Sequence, residues 1–192
     1  SGLSAVQWNG GDVHALPVDL DAARRWYTQR GVPWGLRVPV GVDFKVGRYV
    51  FTARCMGLET GGLTGADPHP PGVVLRRATP SDLTTFAAID AAAFDFEVEL
   101  TVAWVSQALG TPGWTHWVAL AAEEIVGITS VCHTDLSACA CAAISGIAVK
   151  DQWRRRGIGS ALTRRAVTQA FTDGATLAHL NPDTDAAARI YA

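Results

Sequence analysis

The residues best suited to chemistry are gathered in one short stretch. Arg154-Arg155-Arg156-Gly157-Ile158-Gly159-Ser160 follows the apolar run Ile147-Ala148-Val149 and leads into a segment of helical periodicity. A loop that becomes a helix presents unpaired N–H groups and a partial positive charge, and so attracts anions. Gly157 and Gly159 have no Cβ, which lets a phosphate come close to those N–H groups. From 150 to 165 there are six Lys or Arg and one Asp, a local charge of +5 in a chain of net charge −2. Read by itself, a triple Arg is also what a solvated surface patch looks like. The Walker pattern G-x-x-x-x-G-K-[ST] and the dinucleotide pattern G-x-G-x-x-G are both absent.

The other candidates are scattered. Tyr191 carries a phenol that is neutral at pH 7 and can donate a proton, but by itself it reads first as a packing aromatic beside Ala187 and Ala188. Asp95, Glu97, Glu99 and His133 are available as general bases, though such acids are as often plain surface groups and a strand His a structural one. Trp104, Trp114 and Trp117 can wall a pocket or fill a core. Cys55, Cys132, Cys139 and Cys141 form no C-x-x-C pair and have no accompanying His cluster, so no metal site is expected. A tight turn over 135–138 would set Cys132 opposite Cys141. Without a secretory signal, reduced thiols in a cytoplasmic protein are the expectation.

These residues need elements to hold them. The pattern predicts a strand at 73–77, then a helix opened by Thr79 as N-cap and Pro80, with Leu83, Phe86, Ile89 and Ala93 on its apolar face. A second helix is expected over 100–109, and a hairpin of strands 117–122 and 125–132 around Glu123-Glu124. Residues 139–149 read as a central strand, 157–171 as the clearest helix, 176–180 as a short strand and 185–192 as a last helix. Eight of the sixteen residues from 57 to 72 are Gly or Pro, which reads as a linker between 1–56 and 73–192. Asp21-Ala22-Ala23-Arg24-Arg25-Trp26-Tyr27-Thr28 matches Asp185-Ala186-Ala187-Ala188-Arg189-Ile190-Tyr191-Ala192 at five of eight positions, which suggests an internal repeat.

With its flanks, Arg154-x-x-Gly157-x-Gly159 resembles the [RQ]-x-x-G-x-[GA] acyl-CoA motif of the GCN5-related N-acetyltransferases (GNAT). The Val-Leu-Arg-Arg-Ala-Thr-Pro-Ser-Asp-Leu opening at 74–83, the hairpin and the helix bearing Tyr191 resemble that family too, over residues 73–192. The resemblance implies an α/β (α+β) GNAT fold, a mixed and mostly antiparallel sheet splayed at the acyl-CoA site. It implies acetyl-CoA as cofactor, with the pantetheine arm along Ile147, Ala148 and Val149. Arg154, Arg155, Arg156, Gly157, Ile158, Gly159 and Ser160 would then hold the pyrophosphate, and Tyr191 would be the general acid. Three departures stand out: Thr184 where many relatives have Asn, Ser145 and no acid in the central strand, and a sequence that stops where two more strands usually follow. Residues 27–40 resemble that continuation, so 1–56 reads as a partial, degenerate GNAT-like half.

A 192-residue chain with 48% hydrophobic and 18% charged residues has the material for a core and is not generally disordered. Outside 150–165 the charge sums to −7, which argues against a nucleic-acid binder, and no apolar run is long enough to span a membrane. The expected activity is acetyl transfer to a small-molecule or peptide amine by direct attack, with a homodimer left open. The alternatives are a non-catalytic acyl-CoA-binding or regulatory module, and a basic-patch interaction protein.

Overall fold

The computed structural model describes residues 4–7, 20–31, 34–37, 40, 48–49, 51–65, 70–136 and 139–191. Two compact units divide the chain, Ser1–Thr52 and Ala53–Ala192. In the first, β1 (Ser4–Gln7) pairs in parallel with β2 (Trp34–Arg37), and α1 (Leu20–Gln29) lies between them in sequence. Parallel neighbours need a crossover of this kind, which a hairpin turn cannot supply.

The second unit is built on six strands: β3 (Met56–Glu59), β4 (Val73–Arg77), β5 (Trp114–Ala121), β6 (Glu124–Leu136), β7 (Cys139–Val149) and β8 (Leu177–Leu180). Their spatial order is β3-β8-β7-β6-β5-β4, and every neighbouring pair is antiparallel except β7 with β8. This is the mixed, mostly antiparallel sheet the sequence predicts. Helices α2 (Leu83–Phe94) and α3 (Val98–Ala108) pack on one face, where Phe86, Ile89 and Val105 meet Val118, Ile128 and Ala148. Helix α4 (Ile158–Thr172) covers the other, with Ile158, Leu162, Ala166 and Ala170 against Trp117, Val131 and Ile144. Helix α5 (Asp185–Tyr191) contacts α4.

Local chemistry fixes these elements. Pro80 starts a 3-10 turn that runs into α2, and the buried Asp82 carboxylate accepts from the Thr79 N–H at 2.7 Å. Arg76 closes on the same carboxylate in a two-pronged pair at 2.7 and 2.9 Å. Those bonds outweigh its burial and hold the Asp82 carboxyl well below the usual range. The β5–β6 turn falls on Ala122 and Glu123, both left-handed, as two-residue hairpins require.

Two expectations give way. Gly57–Glu59, inside the stretch that reads as a linker, lie in β3 against β8, and Thr64 and Gly65 are tied down as well. The Arg164 guanidinium donates to the Thr64 and Gly65 carbonyls, each at 2.7 Å. Gly and Pro are tolerated at a sheet edge, so composition alone does not separate linker from edge strand. Cys132 and Cys141 do not face each other either. β6 continues through Leu136 to pair with Cys139, which places Cys132 opposite Ala143 and Cys141 opposite Thr134. Cys55, Cys132 and Cys141 are unbridged.

Candidate active site

The two ends of β7 differ. Cys141–Ala143 are flanked on both sides, by β6 and by Leu177–His179 of β8. From Ile144 onward the strand keeps β6 but has no partner in β8, whose last residue, Leu180, pairs only with Met56 of β3. Among the described residues, Ile147, Ala148 and Val149 therefore lie along an open sheet edge, whose main-chain groups can pair with an extended ligand arm. The register of β6 on β7 slips between Ile128 and Ser130, opposite a left-handed Gly146 (φ 58°), a bulge inside the open segment.

The open edge leads directly to the glycine loop. The Lys150 N–H bonds the Val126 carbonyl at 2.9 Å, and Asp151–Trp153 form a 3-10 turn. Arg155 (φ 63°) and Gly157 (φ 78°) are both left-handed, the alternation from which main-chain anion cradles are made. Helix α4 begins at Ile158; its first backbone bond is from Ala161 to Gly157, so the N–H groups of residues 158–160 have no carbonyl within the helix. A Cβ built on Gly157 would touch nothing within 4 Å, so the space over the loop is free. The helix start is held against the sheet at Gly127, where a Cβ would come within 3.0 Å of Leu162 and 3.1 Å of Ile158.

The basic run is mostly occupied. Lys150 pairs with Glu124 at 2.8 Å. Arg154 pairs with Asp151 at 3.0 Å and donates to the Val149 carbonyl at 3.1 Å. Arg156 lies over the Trp153 ring and donates to the Gln152 carbonyl, while Arg165 lies over Trp117. Arg155 alone of the three consecutive arginines has no ion pair or hydrogen bond among the described residues.

Tyr191 is half-buried on the α4 side, packed on the same core as Ile147 and Val149. Burial, helped by the negative charge of Asp183, pushes its phenol above the ordinary value and keeps the proton on it. Thr184 caps the helix that carries it, accepting from the Ala187 N–H at 3.1 Å. Asp95, Glu97 and Glu99 are all exposed. His133 faces Asp173 at 3.9 Å, beside the end of α4. The tryptophans divide: Trp117 is 3% exposed in the α4-side core, whereas Trp104 is exposed and meets Trp114 edge to face at 5.9 Å.

The sequence reading missed Asp90. It sits on α2 one turn beyond Phe86 and Ala87, both buried, which gives it a core-facing position. Its Oδ1 lies 3.2 Å from where a Gly146 Cβ would be, and the Ser130 hydroxyl lies 3.8 Å from that point. Burial pushes the Asp90 carboxyl up from its ordinary value. The sequence signal is faint, since Asp90 stands among residues buried on more than one side of α2.

The acetyltransferase (GNAT) family model matches residues 84–192, more than half of the chain. The chain belongs to the GNAT acetyltransferase family. It is an acyltransferase, and solved structures share its fold. A transcriptional regulator from Bacillus halodurans is 27% identical, with a TM-score of 0.55 over 62% of this chain and 89% of that one. A GCN5-related N-acetyltransferase from Kribbella flavida is 25% identical, with a TM-score of 0.57 over 72% of this chain but 51% of its own. A predicted acetyltransferase from Clostridium acetobutylicum, crystallised with acetyl-CoA, is 14% identical, with a TM-score of 0.55 over 62% of this chain and 86% of its own. No curated protein matches the chain. Among the described residues of this GNAT chain, no helix is long and apolar enough to cross a membrane, and no group of three or more His, Cys, Asp or Glu could hold a metal ion.

Proposed function

We propose that the protein transfers an acetyl group from acetyl-CoA to an amine by direct attack. The observation that carries this reading is the open edge of β7 from Ile144 to Val149, ending at the left-handed Arg155–Gly157 loop. The main-chain groups of Ile147, Ala148 and Val149 fit the amides of a pantetheine arm, which would add to the sheet like a short strand. The N–H groups of residues 155–160, with Gly157 and Gly159 leaving room, fit a pyrophosphate at the start of α4. Arg155 is placed to add charge from its side chain. Arg154 and Arg156 act in this reading by bracing the loop through the Val149 and Gln152 carbonyls.

Acetyl-CoA supplies an activated acyl carbon and a thiol leaving group. Tyr191 holds the proton the departing thiolate needs, and burial keeps that phenol protonated at neutral pH. In this reading a main-chain N–H near Ile147, beside the Gly146 bulge, would steady developing negative charge on the acyl oxygen. The first unit, expected over 1–56 but ending at Thr52, is read as a partial GNAT-like copy: α1 repeats the Asp-Ala-Ala opening of α5, and both follow a strand.

The experiment is acetyl-CoA binding by calorimetry beside thiol release on an amine panel, both with the full chain. Binding with amine-dependent release is expected. Binding without turnover on a broad panel would replace this reading with a regulatory module, and no binding would overturn the cofactor as well.

A further inference from the structure

The reaction outlined above assigns no base, and the α2-side face of the sheet holds three polar groups it leaves unused. His116 on β5 and Ser130 on β6 are cross-strand partners, with Nδ1 and Oγ 2.8 Å apart. Both are buried, and His116 Nε2 has no aligned hydrogen-bond partner. Asp90 leans over Gly146 from α2, at the bulge inside the open segment of β7. Its carboxylate has no hydrogen bond or ion pair among the described residues, whereas the buried Asp82 is paired with both Thr79 and Arg76. A half-buried carboxylate left without partners costs stability and gains nothing within the fold itself. Its position over the strand edge explains it better as a ligand group.

Resting on the acetyl-transfer reading, we propose that Asp90 is the general base of this site, taking the proton of an acceptor ammonium seated over Gly146. Three rings lie next to one another on the same face of the sheet. Exposed Trp104 meets Trp114 at 5.9 Å, and Trp114 stacks on His116 at 5.8 Å, so a file of rings leads inward to Ser130. One carboxylate at the end of an aromatic file suits a primary amine on an aryl or apolar arm. The amine gives one proton to Asp90, which passes it to solvent. As the C–N bond forms and the C–S bond breaks, the nitrogen loses a second proton, equal to the one the thiolate takes up through Tyr191. The balance is ammonium plus acetyl thioester giving amide, free thiol and one proton.

The groups around Asp90 agree with this role. β6 contributes the Ser130 hydroxyl and β7 the Gly146 backbone; Ser130 is bonded in turn to His116 of β5, whose burial favours the neutral ring against the opposing Ala108 carbonyl. Among the described residues no charged side chain pairs with the carboxylate, and burial is what raises its pKa. A raised carboxyl is the stronger base, and activity should climb as pH rises through that value.

The test compares the full chain with Asp90→Asn, using phenethylamine as acceptor. Asn is nearly isosteric and cannot take the proton. The variant should bind acetyl-CoA as the parent does, lose at least about 100-fold in kcat/KM and lose the acid limb of the pH profile. Retention of rate and limb would overturn the base, and failure of the acetyl-CoA-bound parent to acetylate phenethylamine would overturn the acceptor class. Loss of acetyl-CoA binding by the parent would instead overturn the parent reading of the function. Independently of turnover, the Asp90 carboxyl carbon, followed by NMR in the free protein, should titrate above the usual carboxylate value of about 3.9. An ordinary titration would count against the proposal.

Discussion

One strand, β7, has two ends that do different work. Cys141–Ala143 and Ile144–Val149 belong to one continuous strand of small and β-branched residues, yet the first is flanked on both sides and the second on one. Nothing in β7 itself makes that difference. It comes from β8, which stops at Leu180 and is followed by Asn181-Pro182. Pro182 has no N–H to offer a ladder, and the Asn181 amide donates at 2.9 Å to the Arg54 carbonyl, drawing the chain toward the β3 side. Arg54 adds an ion pair to Asp185 at 3.1 Å at the start of α5. The closed end is therefore where the sheet is stabilised, and the open end is where its hydrogen-bonding capacity is left for something else.

The sharpest way to break this contrast is Gly157→Trp, at the mouth of the open end. The position is left-handed and faces free space, so an indole there would occupy the room over the loop and strain its backbone. Acetyl-CoA binding should vanish in calorimetry while far-UV circular dichroism stays unchanged. Unchanged affinity in a folded variant would show that the loop does not hold the ligand. Tyr191→Phe acts further along the same opening. It removes one hydroxyl from a half-buried ring and should lower kcat by about 10²–10⁴-fold with near-normal acetyl-CoA affinity. An unchanged kcat would make Tyr191 a packing residue.

Much of this architecture was legible because it rests on long patterns. The helix expected over 157–171 is found at Ile158–Thr172, and the strand at 139–149 has the bounds expected, since both carry sustained apolar runs. What was not legible depended on partners distant in sequence. Gly57–Glu59 has no strand pattern of its own, and its pairing is decided by Leu177–His179, more than a hundred residues on. The basic run at 150–165 could be counted but not apportioned; only the fold shows Arg154 turned to Asp151, Arg164 to the Thr64 carbonyl and Arg155 left without a partner among the described residues. Asp90 was hidden because α2 is buried on more than one side: Phe86, Ala87, Ile89 and Ala91 are all covered, so a single apolar stripe did not expose the acid among them.

The closed end can be tested for separability. Leu180 is 7% exposed, packs into the α4-side core and pairs with Met56. Leu180→Ala should cost about 2–5 kcal/mol of stability through the cavity it leaves, seen as a lower Tm. Acetyl-CoA affinity of the folded protein should stay as it was. A parallel fall in affinity would mean that the two ends are mechanically one piece.

Arg155→Ala is the mildest change and the most selective probe of the open end. Arg154 and Arg156 already have carbonyl partners and a carboxylate or ring within the protein, so removing either would disturb the loop as well as its charge. Arg155 is exposed and has no such partner among the described residues, and its side chain can leave without unpairing a buried group. Its value to an anion would be that of one screened charge, about 1 kcal/mol, or roughly fivefold in acetyl-CoA affinity at low salt. That difference should shrink as salt rises past about 0.15 M, where the screening length falls to ~8 Å, while kcat and Tm stay unchanged. A loss independent of salt would point instead to the left-handed backbone at 155, which Ala adopts no more readily than Arg. Arg155→Gly separates the two, since it keeps the backbone and removes the charge: on the electrostatic account it should behave as the Ala variant does.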